Sequence, residues 1–247
     1  MIISPKHKFV FFKPMKTAGT SVEHALHMAA GKDQLCTGAL DKPDGDVWAY
    51  PSTNNTNSNG QAIFHTHTWA SLLENRFIDL GIENEFSSYR YISMTRNPWD
   101  ALVSYYWYNV FARDELKLLQ KWPESQWGRI CKRSFNEWID IKSSLEDISS
   151  PNRIDCNPLE YISMCNESHV DKKINNWIKF ETLQKDFNLL CFLLGIEHNE
   201  LKRFKSGHKL INKHYSFYYT DDSMKKVEDA FPKTIKKFGY SFDRRVK

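Results

Sequence analysis

The sequence predicts an α/β protein, a central parallel sheet with helices on both faces. Three observations predict it. Short, wholly apolar runs alternate with stretches of helical periodicity. The order strand then helix recurs three times, which requires crossover connections and so parallel strands. No internal repeat and no linker interrupts that order, so one domain is expected over residues 1–247.

The elements follow in chain order. Residues 1–8 read as a short polar lead. Phe9-Val10-Phe11-Phe12, bounded by Lys8 and Pro14, reads as a buried strand. A tight loop follows over 15–21. Val22, Ala25, Leu26 and Ala29 then fall at helical spacing, and Gly31 closes the helix. The segment 41–61 contains the polar run Ser52-Thr53-Asn54-Asn55-Thr56-Asn57-Ser58-Asn59-Gly60. It has nothing to build a core with and is expected to be a mobile surface loop. Ala62-Ile63-Phe64 reads as a second strand leading into His65-Thr66-His67. A strand over 89–94 runs into Asn97-Pro98, where Asn is a favoured cap and Pro a favoured first helical residue. Asp100 suits the positive end of that helix, which continues through Tyr105-Tyr106-Trp107-Tyr108. Ser134-Phe135-Asn136-Glu137 has the form of a capping box, with Phe135, Trp138 and Ile139 facing inward. Trp177-Ile178-Lys179-Phe180 reads as a strand. Leu183, Phe187, Leu190, Cys191 and Leu194 define a helix ended by Gly195. A last helical region starts near Asp221, is broken or kinked at Pro232 and ends at Gly239.

Composition narrows the class. With 41% hydrophobic and 26% charged residues over 247 positions, the chain is an ordinary globular protein with a sizeable core. A formal net charge of +4 is no nucleic-acid signature. It suits a small polyanionic ligand or an acidic acceptor, and equally suits solubility alone. The five cysteines, Cys36, Cys131, Cys156, Cys165 and Cys191, are odd in number and lack CxxC spacing. They point to reduced thiols in a cytoplasm rather than to zinc or a disulfide framework. No signal peptide or membrane-length apolar run is evident, so neither the sequon at Asn54 nor that at Asn166 demands glycosylation. A cytoplasmic location without membrane attachment is expected. The sequence leaves the oligomeric state undetermined.

Two strand-to-helix turns carry chemistry. In Lys16-Thr17-Ala18-Gly19-Thr20-Ser21, unpaired amides at a helix start combine with the helix dipole to make a seat for phosphate. Gly19 lets the backbone approach, Thr17, Thr20 and Ser21 offer hydroxyls, and Lys16 offers a mobile cation. An ordinary turn with a threonine cap is the alternative. The pattern is not a Walker A loop, because the lysine precedes the glycine. In Thr95-Arg96-Asn97-Pro98-Trp99-Asp100, Arg96 comes at the carboxyl end of the sheet, where open α/β folds bind ligands. Its guanidinium suits bidentate phosphate contact, and Ser104 follows within the second helical turn. The alternative is an Arg96–Asp100 pair with Ser104 solvated. Together the two turns suit a ligand with phosphates at both ends of a nucleoside.

With these residues in view the sequence resembles the sulfotransferases that use 3′-phosphoadenosine-5′-phosphosulfate (PAPS), especially the carbohydrate O-sulfotransferase branch. Lys16-Thr17-Ala18-Gly19-Thr20-Ser21 resembles the family's 5′-phosphosulfate loop, although Met15 separates Pro14 from Lys16. Arg96-Asn97-Pro98 with Asp100 and Ser104 resembles its 3′-phosphate element, with Ala101-Leu102 where an arginine often stands. Phe180-Glu181-Thr182-Leu183 with Asp186-Phe187 resembles a later segment. So does the ending Tyr218-Tyr219-Thr220-Asp221 with Phe238-Gly239-Tyr240-Ser241-Phe242. The matches run in the family's order from Phe9 to Phe242. The resemblance implies a P-loop-like α/β fold, PAPS as donor, adenosine 3′,5′-bisphosphate as product, and a hydroxyl acceptor, which the branch resemblance makes a carbohydrate. Residues 114–170 match weakly and are expected to form an acceptor-side insertion.

An attacking hydroxyl needs a proton acceptor, and histidine is the usual one. His65-Thr66-His67 follows a strand, so both imidazoles turn to one side. It resembles a His-x-His element of uronyl 2-O-sulfotransferases, which implies His67 as the base and His65 as its support. An unperturbed histidine would put the acidic limb of the rate profile at roughly pH 6.5. The alternatives are two polar histidines at a strand end or a metal pair. No further ligand at diagnostic spacing completes a metal site, so none is expected. Lys205, Ser206, His208 and Lys209 form a basic stretch. It is either a solvated charge run or the family's late loop over the 3′-phosphate, in which Lys205 and Lys209 would touch the nucleotide. The competing functions are a nucleotide-dependent kinase on a related fold and a non-catalytic binder of sulfated glycans.

Overall fold

Two buried strands open the chain. β1 (Ile2–Ser4) and β2 (Phe9–Phe11) pair antiparallel, with Ile2 opposite Phe11 and Ser4 opposite Phe9. This is seen in a computed structural model of the chain. The structure describes residues 1–31, 34–37, 59–60, 64, 67, 70, 73, 83–115, 134–140, 157–170, 174–197, 200–204 and 213–245. The expected polar lead is corrected here. Met1, Ile2 and Ile3 are all buried, and the polarity is confined to the turn, where Pro5, Lys6 and Lys8 are exposed.

α1 (Gly19–Ala30) follows β2, and the short β3 (Leu35–Cys36) adds to the outer edge of β1. α2 (Glu83–Phe86) precedes β4 (Arg90–Thr95), and β5 (Asn176–Lys179) completes the sheet. The strand order is β3-β1-β2-β4-β5. β2, β4 and β5 are mutually parallel, as expected, with Phe11 beside Ile92 and Ile92 beside Asn176. The sheet as a whole is mixed, because β1 runs antiparallel to β2 and β3. A turn as short as residues 5–8 permits only an antiparallel return.

Alternation along the strands divides the core between two faces. Ile2, Phe9, Phe11, Ile92, Met94 and Ile178 meet the apolar sides of α1 and of α6 (Leu183–Leu194). Ile3, Val10 and Phe12 meet Phe64, Leu73, Phe86 and Tyr89 on the other. The strand expected over 62–64 falls mostly outside the described residues, and Phe64 itself is buried against the sheet. α6 ends at Gly195, whose φ of 62° is the left-handed cap that glycine adopts without strain.

The chain is organised as two compact units. One comprises Met1–Arg96 with Ser168–Lys205 and holds the whole sheet. The other comprises Asn97–Glu167 with Ser206–Lys247. This second unit is helical: α3 (Pro98–Glu115), α4 (Phe135–Ile139), α5 (Pro158–Glu167), α7 (Asp221–Ala230) and α8 (Pro232–Phe238). Asn97 caps α3 by accepting from the amide of Trp99 at 3.1 Å. Ser134 and Glu137 form the expected capping box on α4. Tyr106 of α3 lies edge-on to Phe135 and Trp138, so much of the aromatic run is core. The Glu167 carboxylate accepts from the amides of Lys233 and Thr234, fastening the end of α5 to the start of α8. Of the segment 114–170, residues 134–140 and 157–170 are described beyond the end of α3, and of 41–61 only Asn59 and Gly60.

Candidate active site

The three parallel strands each deliver one part of the site at their carboxyl ends. After β2 the chain turns through residues 12–18 into α1. Lys16 and Ala18 both hold left-handed backbone, with φ of 60° and 65°. For residues bearing a Cβ such geometry costs about 1–3 kcal/mol each and persists only where surroundings impose it. Between them Thr17 is buried, and its hydroxyl donates to the Pro14 carbonyl at 3.0 Å, closing the turn on itself. Ala18 is the N-cap of α1 and has no side-chain acceptor to offer the first-turn amides. Alternation of left-handed residues at a helix start makes a concave, amide-lined seat for an anion. Lys16 and Thr20 are half-buried at its rim. Ser21 is buried, and its Oγ accepts from the amide of Phe204 at 3.4 Å.

From the end of β4, Arg96 donates from Nη1 to the Lys16 carbonyl at 2.8 Å. Its guanidinium lies over the Phe180 ring, 3.7 Å from the centroid, just beyond the end of β5. The sulfur of Met94 approaches the Thr17 hydroxyl at 3.9 Å. The two turns singled out in the sequence are therefore joined by a hydrogen bond, and Phe180 supports the joint by cation–π stacking. Ser104 is half-buried on α3, in the second unit. His65, Lys205 and Lys209 lie outside the described residues.

His67 Nδ1 lies 2.7 Å from the Lys13 carbonyl. A carbonyl only accepts, so Nδ1 carries the proton and Nε2 keeps its lone pair. Burial first and the Lys13 charge second lower the imidazole pKa to about 3, against a smaller upward pull from the carbonyl contact. An acidic limb near pH 6.5 is thus corrected: the ring is neutral well below that pH.

Lys13 was not singled out in the sequence. It is only 3% exposed, and its ammonium pairs with the buried Glu23 of α1, which also pairs with the Met1 ammonium. Burial alone would raise the Glu23 carboxyl pKa, but the two cations hold it well below the usual carboxylate range. Gly19 is close-packed: a Cβ there would overlap Lys13 Cγ. The available signals were faint. Glu23 falls on the inward stripe of α1 with Leu26 and Ala30, and Lys13 stands between the apolar Phe12 and Pro14. Among the described residues no group of His, Cys, Asp and Glu could hold a metal ion, and no helix is long and apolar enough to cross a membrane.

The parallel β-α framework, with a loop suited to an anion at its carboxyl edge, is of the P-loop-like α/β class. The sulfotransferase family profile matches residues 1–241, and the chain belongs to that family. It is a transferase of sulfuryl groups, a class that generally draws on PAPS. Among solved structures, a sulfotransferase from Alicyclobacillus acidocaldarius is similar at 13% identity, with a TM-score of 0.39 over 95% of this chain and 96% of the other. No curated protein sequence matches significantly.

Proposed function

We propose that the protein transfers the sulfuryl group of PAPS to an acceptor hydroxyl on a carbohydrate, with His67 as general base. The observation that carries this reading is the Arg96–Lys16 hydrogen bond, which ties a cation suited to a 3′-phosphate to the loop suited to a 5′-phosphosulfate. The residues present fit such a donor: a seat of main-chain amides, one lysine and one arginine.

PAPS supplies an activated sulfuryl group with a good leaving group, and the chain's residues do the rest. The loop and Lys16 hold the 5′ end, and the Lys16 ammonium stabilises negative charge on the leaving oxygen. Arg96 addresses the 3′-phosphate, with Ser104 added on the sequence pattern alone. His67 Nε2 receives the acceptor's proton. At so low a pKa the ring is a weak base, well below the optimum near the operating pH, and takes the proton late, as the bond to sulfur forms. The carbohydrate acceptor rests on resemblance to the O-sulfotransferase branch, and a cytoplasmic setting on the cysteine pattern.

Calorimetry with adenosine 3′,5′-bisphosphate and with 5′-AMP tests the donor assignment. The bisphosphate should bind more tightly. Arg96→Ala should erase most of that preference and also weaken 5′-AMP, because it removes the Lys16 contact. Equal affinity of wild type for the two nucleotides would contradict the assignment.

A further inference from the structure

We propose that Lys13 is a positioning residue of the transfer, holding the base and the phosphate loop on one buried anchor. The proposal rests on the sulfotransferase reading of Lys16 and His67. Three contacts carry it. The Lys13 carbonyl meets His67 Nδ1 at 2.7 Å, which fixes the ring and its tautomer. The Lys13 methylenes fill the notch left by Gly19, the first residue of α1. The ammonium pairs with Glu23, one turn further along the same helix. Lys13 is itself three positions before Lys16, so a single residue spans from the base to the loop. Being buried, it acts through these neighbours and not on substrate.

A buried ion pair is a poor source of stability, since apolar side chains of similar size often serve as well. A charge kept at this place has a different use. Among the described residues, the charged groups that act on His67 are Lys13 at the end of β2, Glu23 on α1 and the Met1 ammonium before β1. The two cations oppose an imidazolium and Glu23 favours one. Burial opposes an imidazolium most, and the Lys13 charge adds to it, which keeps His67 Nε2 receptive. Without Lys13, the imidazolium loses the strongest of its charged opponents, while burial still opposes it.

The test is a titration of 15N-labelled histidine side chains by NMR in the full chain, wild type and Lys13→Met, alongside turnover with PAPS. Wild-type His67 should show the Nδ1-protonated tautomer and no titration until pH falls toward about 3. In Lys13→Met its midpoint should rise by about one unit or more, and the turnover profile should gain an acidic limb at the same pH. A folded Lys13→Met protein with an unchanged His67 midpoint overturns the proposal, leaving a structural ion pair. Should that variant fail to fold, the wild-type spectrum decides: an Nε2-protonated ring, or a midpoint near the ordinary histidine value, overturns it. Absence of any transfer from PAPS by wild type overturns the catalytic reading instead, and the titration distinguishes the two failures.

Discussion

His67 shows how a residue's surroundings change the chemistry its type promises. As a histidine in a polar tripeptide it would titrate at roughly pH 6.5. Half-buried and bonded to the Lys13 carbonyl, it is held at about 3, with one nitrogen committed and the other receptive. Turnover of wild type should therefore show no acidic limb from His67 between pH 8 and about 5. His67→Ala should lower turnover by roughly 10²- to 10⁴-fold while leaving bisphosphate affinity nearly intact. Paired rate and calorimetry measurements check both. A fully active variant would remove His67 from the mechanism and bring forward His65. His65-Thr66-His67 offered a candidate base in the sequence, but not the protonation state of its ring. That depends on Lys13, 54 positions away in sequence, whose lysine type alone predicts a solvated surface.

The turn from β2 into α1 is the element on which the account depends. Arg96 grips it at Lys16, Thr17 closes it on Pro14, and Lys13 seats it against Gly19. Gly19→Ala should overpack this seat. It should cost about 1–3 kcal/mol of stability in urea unfolding and weaken bisphosphate binding at the same time. Unchanged stability and affinity would show that the loop tolerates a methyl group at Gly19 and is not seated there. Elements with a strong local signature were legible: the capping box at Ser134, the Asn97-Pro98 helix start and the Gly195 stop are all present. β1 and β3 were not, because strands of three and two residues carry too few alternations to register. Helix α5 buries Leu159, Ile162 and Cys165 within a region that offered no family pattern to frame it.

Across the chain, the parallel set β2-β4-β5 was readable from the recurrence of strand and helix, and the two antiparallel strands were not. The site follows the parallel set: loop, arginine and supporting aromatic each stand at the carboxyl end of one of its strands. The order of those strands in sequence was visible. Their adjacency in the sheet, and the Phe180 support it creates, arise only when the chain folds. The deciding measurement is incubation of the full chain with PAPS carrying 35S, a panel of saccharides and EDTA, followed by mass analysis of the products. Label should move to a hydroxyl acceptor with stoichiometric release of adenosine 3′,5′-bisphosphate, chelation should leave this intact, and Lys16→Ala should lower it. PAPS left unchanged under these conditions, with phosphoryl transfer from ATP and magnesium in its place, would contradict the proposed transfer.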